Sequence, residues 1–162
     1  MIERTLILLK PDCVQRGICG EIVSRFEKVG LKVVGLKMVW IDKDFGKKHY
    51  FDLGERRGEE ILDINVNFIS EGPVIAICLQ GINAPEQVRK MVGATEPKTA
   101  NPGTIRGDYS HHSYDYTNNK KIAVRNLIHA SANKEEAENE IKLWFSVEEL
   151  HDYTTVHEKH VF

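Results

Sequence analysis

Val74-Ile75-Ala76-Ile77-Cys78-Leu79 is an unbroken apolar run in the middle of the chain. A strand that leaves one face to water alternates apolar with polar residues, so a run without alternation must be covered on both faces. It is read as a central strand with helices packed over it. Thr5 to Leu9, ending at Lys10-Pro11, is a second buried strand of the same kind. Leu31 to Trp40, apolar and β-branched, makes a third, and Ile122 to Ile128 a fourth.

Between these runs the period changes. Gly17 to Val29 sets Ile22, Phe26 and Val29 at helical spacing and stops at Gly30. Asp42 is a candidate cap for a helix through His49 and Tyr50. Gly58 to Ser70 reads as a helical pair or a helix with a break, and Pro85 to Val92 as a helix with proline in its first turn. Lys134 to Phe145 places Ala137, Ile141 and Trp144 on one stripe of an amphipathic helix. Proline and glycine exclude regular structure from Thr95 to Gly107, which is read as a long ordered loop. The polar, turn-rich stretch from Ser110 to Lys121 is read as an exposed excursion. Strand and helix alternate, which predicts an α/β sandwich with helices on a largely antiparallel four-stranded sheet. A chain of 162 residues with no repeat and no linker is expected to form a single domain over 1–162.

Composition narrows the chemistry. A net charge of -2 gives no general reason to bind nucleic acid or a membrane, so phosphate recognition must come from local basic groups. Cys13, Cys19 and Cys78 are odd in number and lack metal-ligand spacing. They are read as reduced thiols of a cytoplasmic protein. No signal peptide is visible after Met1, and no apolar run approaches the length of a membrane span.

Asn126-Leu127-Ile128-His129-Ala130-Ser131 puts a histidine at the end of an apolar stretch, and Glu140 follows in the last helical segment. An imidazole attacks phosphorus when it is neutral, free on one ring nitrogen and held by a hydrogen bond on the other. Lys10 ends the first strand, while Arg89 and Thr95 flank the end of a helix and the loop after it. Arg106 lies in Pro102-Gly103-Thr104-Ile105-Arg106-Gly107-Asp108, whose glycines permit close backbone approach, and Asn126 can hydrogen-bond a sugar hydroxyl. No Gly-rich phosphate loop ending in Lys-Ser or Lys-Thr is present, so a triphosphate would be held by separated side chains and a metal ion. His111-His112, His151, His157 and His160 have no ligand spacing and are read as surface residues.

Taken in order, Thr5 to Asp12, Gly20-Glu21-Ile22, Gly72-Pro73-Val74, Gly93-Ala94-Thr95, Pro102 to Asp108, Asn126 to Ser131 and Leu143-Trp144-Phe145 resemble the nucleoside diphosphate kinase family over almost the whole chain. The resemblance implies a ferredoxin-like core and a Mg²⁺-dependent ping-pong transfer. ATP or another nucleoside triphosphate would phosphorylate His129, and a nucleoside diphosphate would collect the phosphate. Lys10, Tyr50, Arg89, Thr95, Arg106 and Asn126 fall on the family's nucleotide-contacting positions. Ser131 and Glu140 fall on those that orient the histidine. The family also implies a homo-oligomer, tetramer or hexamer, and a magnesium ion held mainly by the nucleotide phosphates.

Three departures accompany the match. Ala132-Asn133 follows Ser131 where family members usually carry an aspartate, which predicts altered capping of the last helix. The family's base-stacking aromatic is replaced by Gly58-Glu59-Glu60-Ile61-Leu62, leaving Ile61 or Leu62 as an apolar platform. The stretch between Arg106 and Asn126 is longer than usual by the 110–121 excursion. These departures keep a second class open: a catalytically weak nucleotide-binding relative that serves as a regulatory or scaffold partner. A third is phosphohistidine relay to proteins docked on the excursion.

Overall fold

The computed structural model describes residues 1–161. Strands β1 (Ile2–Leu9), β2 (Lys32–Val39), β3 (Val74–Ile82) and β4 (Ile128–Ala130) form one sheet in the order β2-β3-β1-β4, with every pairing antiparallel. The ferredoxin-like, four-stranded antiparallel arrangement is as expected. Helices α1 (Pro11–Gln15) and α2 (Cys19–Lys28) link β1 to β2. Helices α3 (Lys43–His49), α4 (Leu53–Arg57) and α5 (Glu59–Ser70) link β2 to β3. Helices α6 (Ala84–Val92), α7 (Ile105–Tyr109) and α8 (Tyr114–Lys120) precede β4, and α9 (Lys134–Trp144) and a short α10 (Glu158–Val161) follow it. No helix among the described residues is long and apolar enough to cross a membrane.

The two central strands explain the continuous apolar runs. Ile7 and Leu9 of β1, with Ile77 and Leu79 of β3, pack against Ile22 and Phe26 of α2 and Val88 and Val92 of α6. The alternate residues Leu6, Leu8, Ala76 and Cys78 pack on the opposite face against Ile69 of α5 and Ile141 and Trp144 of α9. Both faces are dry over Leu6–Leu9 and Ala76–Leu79, so these stretches carry no polar side chain. The sheet is thus clamped between two helical layers.

The structure differs from the sequence reading in five places. Strand β1 begins at Ile2, because Arg4 finds a cross-strand partner in Gln80, whose Oε1 accepts from Nε at 2.8 Å. The break in the Gly58 region falls at Gly58 itself (φ +93), and α5 then runs unbroken. The loop after Thr95 contains a 3₁₀ turn at Pro97–Thr99, and α7 starts within it at Ile105. The 110–121 excursion is helical over α8: the Ser113 hydroxyl caps it by accepting from Tyr116 N, and Thr117 is buried. The fourth strand holds only Ile128–Ala130, because the backbone before it bonds elsewhere. Arg125 N donates to His112 Nδ1, and Arg125 O accepts from Ser110 Oγ.

Candidate active site

Strand period places the central group. His129 pairs with Leu8 across the β1–β4 ladder and so shares its face, the one covered by α9. Ser131, two residues on, points the same way, with its amide bonded to Leu6 O at 3.2 Å. Helix α9 presents Ala137, Glu140, Ile141 and Trp144 to that face, all buried. Glu140 therefore belongs to the inner stripe, although acidic neighbours surround it in sequence.

Its two carboxylate oxygens have separate partners. His129 Nε2 lies 2.7 Å from Oε1, and the Ser131 hydroxyl donates to Oε2 at 2.5 Å. Burial pushes the Glu140 pKa up, but His129, His49 and the Ser131 hydroxyl outweigh it and hold the carboxyl below its usual range. An ionised Glu140 accepts a hydrogen bond from the N–H at His129 Nε2. That fixes the tautomer and leaves Nδ1 with a free lone pair. The helix carrying Glu140 is capped by Asn133, whose side chain accepts from Glu136 N at 2.9 Å. Glu136 in turn accepts from Ala132 N at 2.7 Å, so the altered cap is a reciprocal pair that needs no aspartate.

His49, at the end of α3, completes this cluster. Its ring stands edge-on to His129, with centroids 4.6 Å apart, and its Nδ1 accepts from Trp144 Nε1 at 3.3 Å. His49 Nδ1 and Glu140 Oε1 are 3.6 Å apart. This is not an ion pair, because burial, with His129 and Lys10 adding, pushes the His49 pKa down to about 3. His49, His129 and Glu140 offer ligand atoms within 4.8 Å of one another, but the Trp144 N–H occupies the lone pair of His49 Nδ1. His129 and Glu140 are bonded to each other, and His49 packs edge-on beside them through its bond to Trp144.

A second group of residues frames the other side of His129. Arg106 is buried on α7, and its guanidinium donates to Ile128 O at 2.6 Å, Gly93 O at 3.1 Å and Asn126 O at 3.4 Å. It is tied to the strand that carries His129. Burial and the neighbouring Arg89 lower its pKa to about 10, which leaves it cationic at neutral pH. Asn126 donates through Nδ2 to Thr95 O at 2.7 Å, which settles its amide orientation. Its Oδ1 is then a buried acceptor with no partner. Leu127 adopts φ +72, an unfavourable region for a γ-branched residue. The strain is held by Leu127 N donating to Asp12 Oδ2 at 3.0 Å and Lys10 N donating to Leu127 O at 2.8 Å.

Lys10 is buried, and desolvation lowers its pKa to about 8, with Asp12 opposing and Arg106 and Arg125 adding. Tyr50 packs on His49 with ring centroids 4.7 Å apart. Burial, then Glu140 and Asp12, push its phenol pKa up and keep it protonated. Arg89 and Thr95 are exposed at the rim. Ile61 sits half-buried on the first turn of α5. Sequence reasoning overlooked His49 and Asp12, although both stand beside residues it selected. It placed Trp144 on the apolar stripe of the last helix and in one block of the family match, with no role at the site.

The chain matches the model of the family described as "Nucleoside diphosphate kinase" over residues 3–150. It is 47% identical over 155 residues to the nucleoside diphosphate kinase of Borreliella burgdorferi, covering 94% of this chain and 93% of that protein. With the enzyme of Pyrococcus furiosus it shares 49% identity over 152 residues, covering 94% of this chain and 88% of that one. Among solved structures, a transition-state mimic of the Borrelia burgdorferi kinase with bound vanadate and ADP superposes with a TM-score of 0.96 at 46% identity, covering 99% of this chain and 96% of that chain. The Halobacterium salinarum enzyme in complex with CDP superposes at 0.85 with 40% identity, covering 100% of this chain and 99% of that one. An imidazole braced on a buried carboxylate beside buried cations, carried on this fold and accompanied by these likenesses over nearly the full length, places the chain in the nucleoside diphosphate kinase family.

Proposed function

We propose that His129 carries the phosphoryl group in a ping-pong exchange between nucleoside triphosphates and diphosphates. The observation that carries the reading is the 2.7 Å bond from His129 Nε2 to Glu140, which leaves Nδ1 as the nucleophile. Nδ1 attacks the terminal phosphorus of a nucleoside triphosphate; the Nδ1–P bond forms as the bond to the diphosphate oxygen breaks. A second diphosphate then attacks the phosphorus and Nδ1–P breaks. The Nε2 proton stays on its bond to Glu140 throughout, so the ring needs no net proton transfer.

The surrounding residues take the roles their positions favour. Lys10 and Arg106 neutralise charge on the transferring oxygens. Arg89 and Thr95 hold the inner phosphate, and Tyr50 steadies the group in flight. The unpartnered Asn126 Oδ1 accepts from the ribose 3′-hydroxyl, with Lys10 beside it. Ile61 supplies the apolar platform for the base. The cationic lining of the cleft attracts phosphates and repels a free metal ion, so Mg²⁺ fits as an ion held by the nucleotide. Bound there, it neutralises phosphate oxygens.

A homo-oligomer, tetramer or hexamer, is the assembly we propose. Edge strand β2 supports it: Leu36, Met38 and adjoining Trp40 are 55%, 57% and 68% exposed. The three free thiols favour a reducing compartment, the cytoplasm.

The test is to mix the protein with γ-labelled ATP and Mg²⁺, quench, and chase with GDP. Acid-labile label on the protein that passes to GTP, and is absent from His129→Ala, is expected. ATP binding with no labelled protein would instead favour the regulatory reading.

A further inference from the structure

Two lysines of the described chain are buried, and they are held in different ways. Lys32 donates to Tyr153 O at 2.5 Å and to Glu158 Oε1 at 2.8 Å. Lys10 as a residue is 6% exposed, and its ammonium has no hydrogen bond or ion pair among the described residues. Its specific contact is an aromatic ring: Nζ lies 5.0 Å from the centroid of Phe68 on α5. The same ring carries Arg125, whose Cζ is 4.5 Å from the centroid. Arg125 is neutralised by an ion pair with Glu71, just past the end of α5. Phe68 itself is 3% exposed, so water does not screen its quadrupole.

We propose that Phe68 is a positioning residue whose ring holds the Lys10 ammonium in the site as a cation. A desolvated ammonium keeps its charge only if something replaces its hydration, and the negative face of an aromatic ring does so without adding a competing anion. A carboxylate in the same place would bind Lys10 so firmly that an incoming phosphate would have to displace it. The ring leaves the N–H donors free. Backbone supports the placement, because Lys10 N is bonded to Leu127 O at 2.8 Å and cannot follow the ring if α5 shifts. The inference rests on the proposed role of Lys10 in charge neutralisation for its kinetic consequence, though not for the contact itself.

The charged groups around Lys10 are Asp12 after β1, Arg106 on α7 and Arg125 before β4, with the neutral, titratable His49 on α3 beside them. Asp12 favours the cation, and Arg106 and Arg125 oppose it. A ring favours the charged form, so weakening its quadrupole must lower the Lys10 pKa further.

The experiment replaces Phe68 in the full chain with tri- and pentafluorophenylalanine, which keep the shape and progressively remove the negative face. Phe68→Tyr serves as the conservative control and Phe68→Leu as the ring-free variant. The Lys10 side chain is titrated by NMR in the free protein, and the pH profile of kcat/KM is recorded alongside. The expected result is a stepwise fall of the Lys10 pKa by about 0.5–1 pH unit across the fluorinated series, with the alkaline limb of kcat/KM moving by the same amount. Tyrosine should leave both in place. A Lys10 pKa that stays constant from phenylalanine to pentafluorophenylalanine overturns the proposal and leaves Phe68 as packing alone. The titration requires no turnover, so it is decided independently of the labelling test for His129. If Phe68→Leu fails to fold, the fluorinated series still decides.

Discussion

His49 sits between His129 and Trp144, and its protonation sets how many charges Glu140 must balance. The folded value near 3 lies below the ordinary histidine value of 6.5, so between those pH values the unfolded chain binds a proton that the folded one does not. Stability from this residue is complete above pH 6.5 and is lost as pH falls toward 3. Glu140, also depressed, loses its contribution at lower pH, as pH falls from the ordinary glutamate range through its folded value. In His49→Gln the first term disappears while the second remains. Unfolding free energy followed from pH 7 down to pH 4 should therefore fall less steeply in the variant, by roughly 3 kcal/mol over the interval. Parallel curves would mean that His49 is charged when folded. Residues of this kind are hard to read from sequence. Glu140 stands among Glu135, Glu136 and Glu138, a run that reads as a solvated helix face, and only the family resemblance selects it from the sequence. His49 shows no pattern at all, because its partners come from β4 and α9.

Among the elements, the loop leading into α7 tolerates least change. Thr104 caps α7 by accepting from Gly107 N at 3.1 Å, and a Cβ on Gly107 would run into the backbone carbonyl of Asn101. The obstacle is backbone and cannot rotate away. Gly107→Ala should cost about 1–3 kcal/mol in denaturant unfolding, and it should reduce kcat by displacing Arg106. An unchanged kcat would separate Arg106 from the reaction. The glycines of this loop were legible in the sequence as a requirement for close approach, and so were β3 and α9, whose periods are local properties. The helix at α8 was not legible. Its start depends on Tyr114 N bonding to Glu96 Oε1 at 2.8 Å, a residue far away in the chain. The early end of the fourth strand has the same origin: Ile122-Ala123-Val124 has strand composition, but the backbone at Arg125 and Asn126 is already engaged by His112, Ser110 and Arg106. Propensity lost to partners that sequence does not display.

For the molecule as a whole, the open question of assembly concentrates on β2. Leu36 and Met38 pair with Ile77 and Ile75 in the β2–β3 ladder and share their face, yet more than half of each lies in water. The segment after α9 bonds part of the edge, through His151 N to Val34 O at 2.7 Å, Tyr153 Oη to Val33 O at 2.5 Å and Lys37 Nζ to Glu149 Oε2 at 2.6 Å. If a second copy covers the remainder, Met38→Glu should shift sedimentation toward the monomer while His129 still accepts label at high protein concentration. Retention of the full assembly mass would exclude this face. The geometry around Arg106 bears on a different question, how such a molecule changes over generations. Its guanidinium grips the carbonyls of Asn126 and Ile128 directly, across the base of the α8 excursion. A side chain therefore sets the spacing between cation and nucleophile, and the number of residues in between hardly enters. Lengthening a closed loop adds only a slowly growing entropy. Here the chain can gain or shed sequence, and with it new surface, while the reaction a few ångströms away keeps its dimensions.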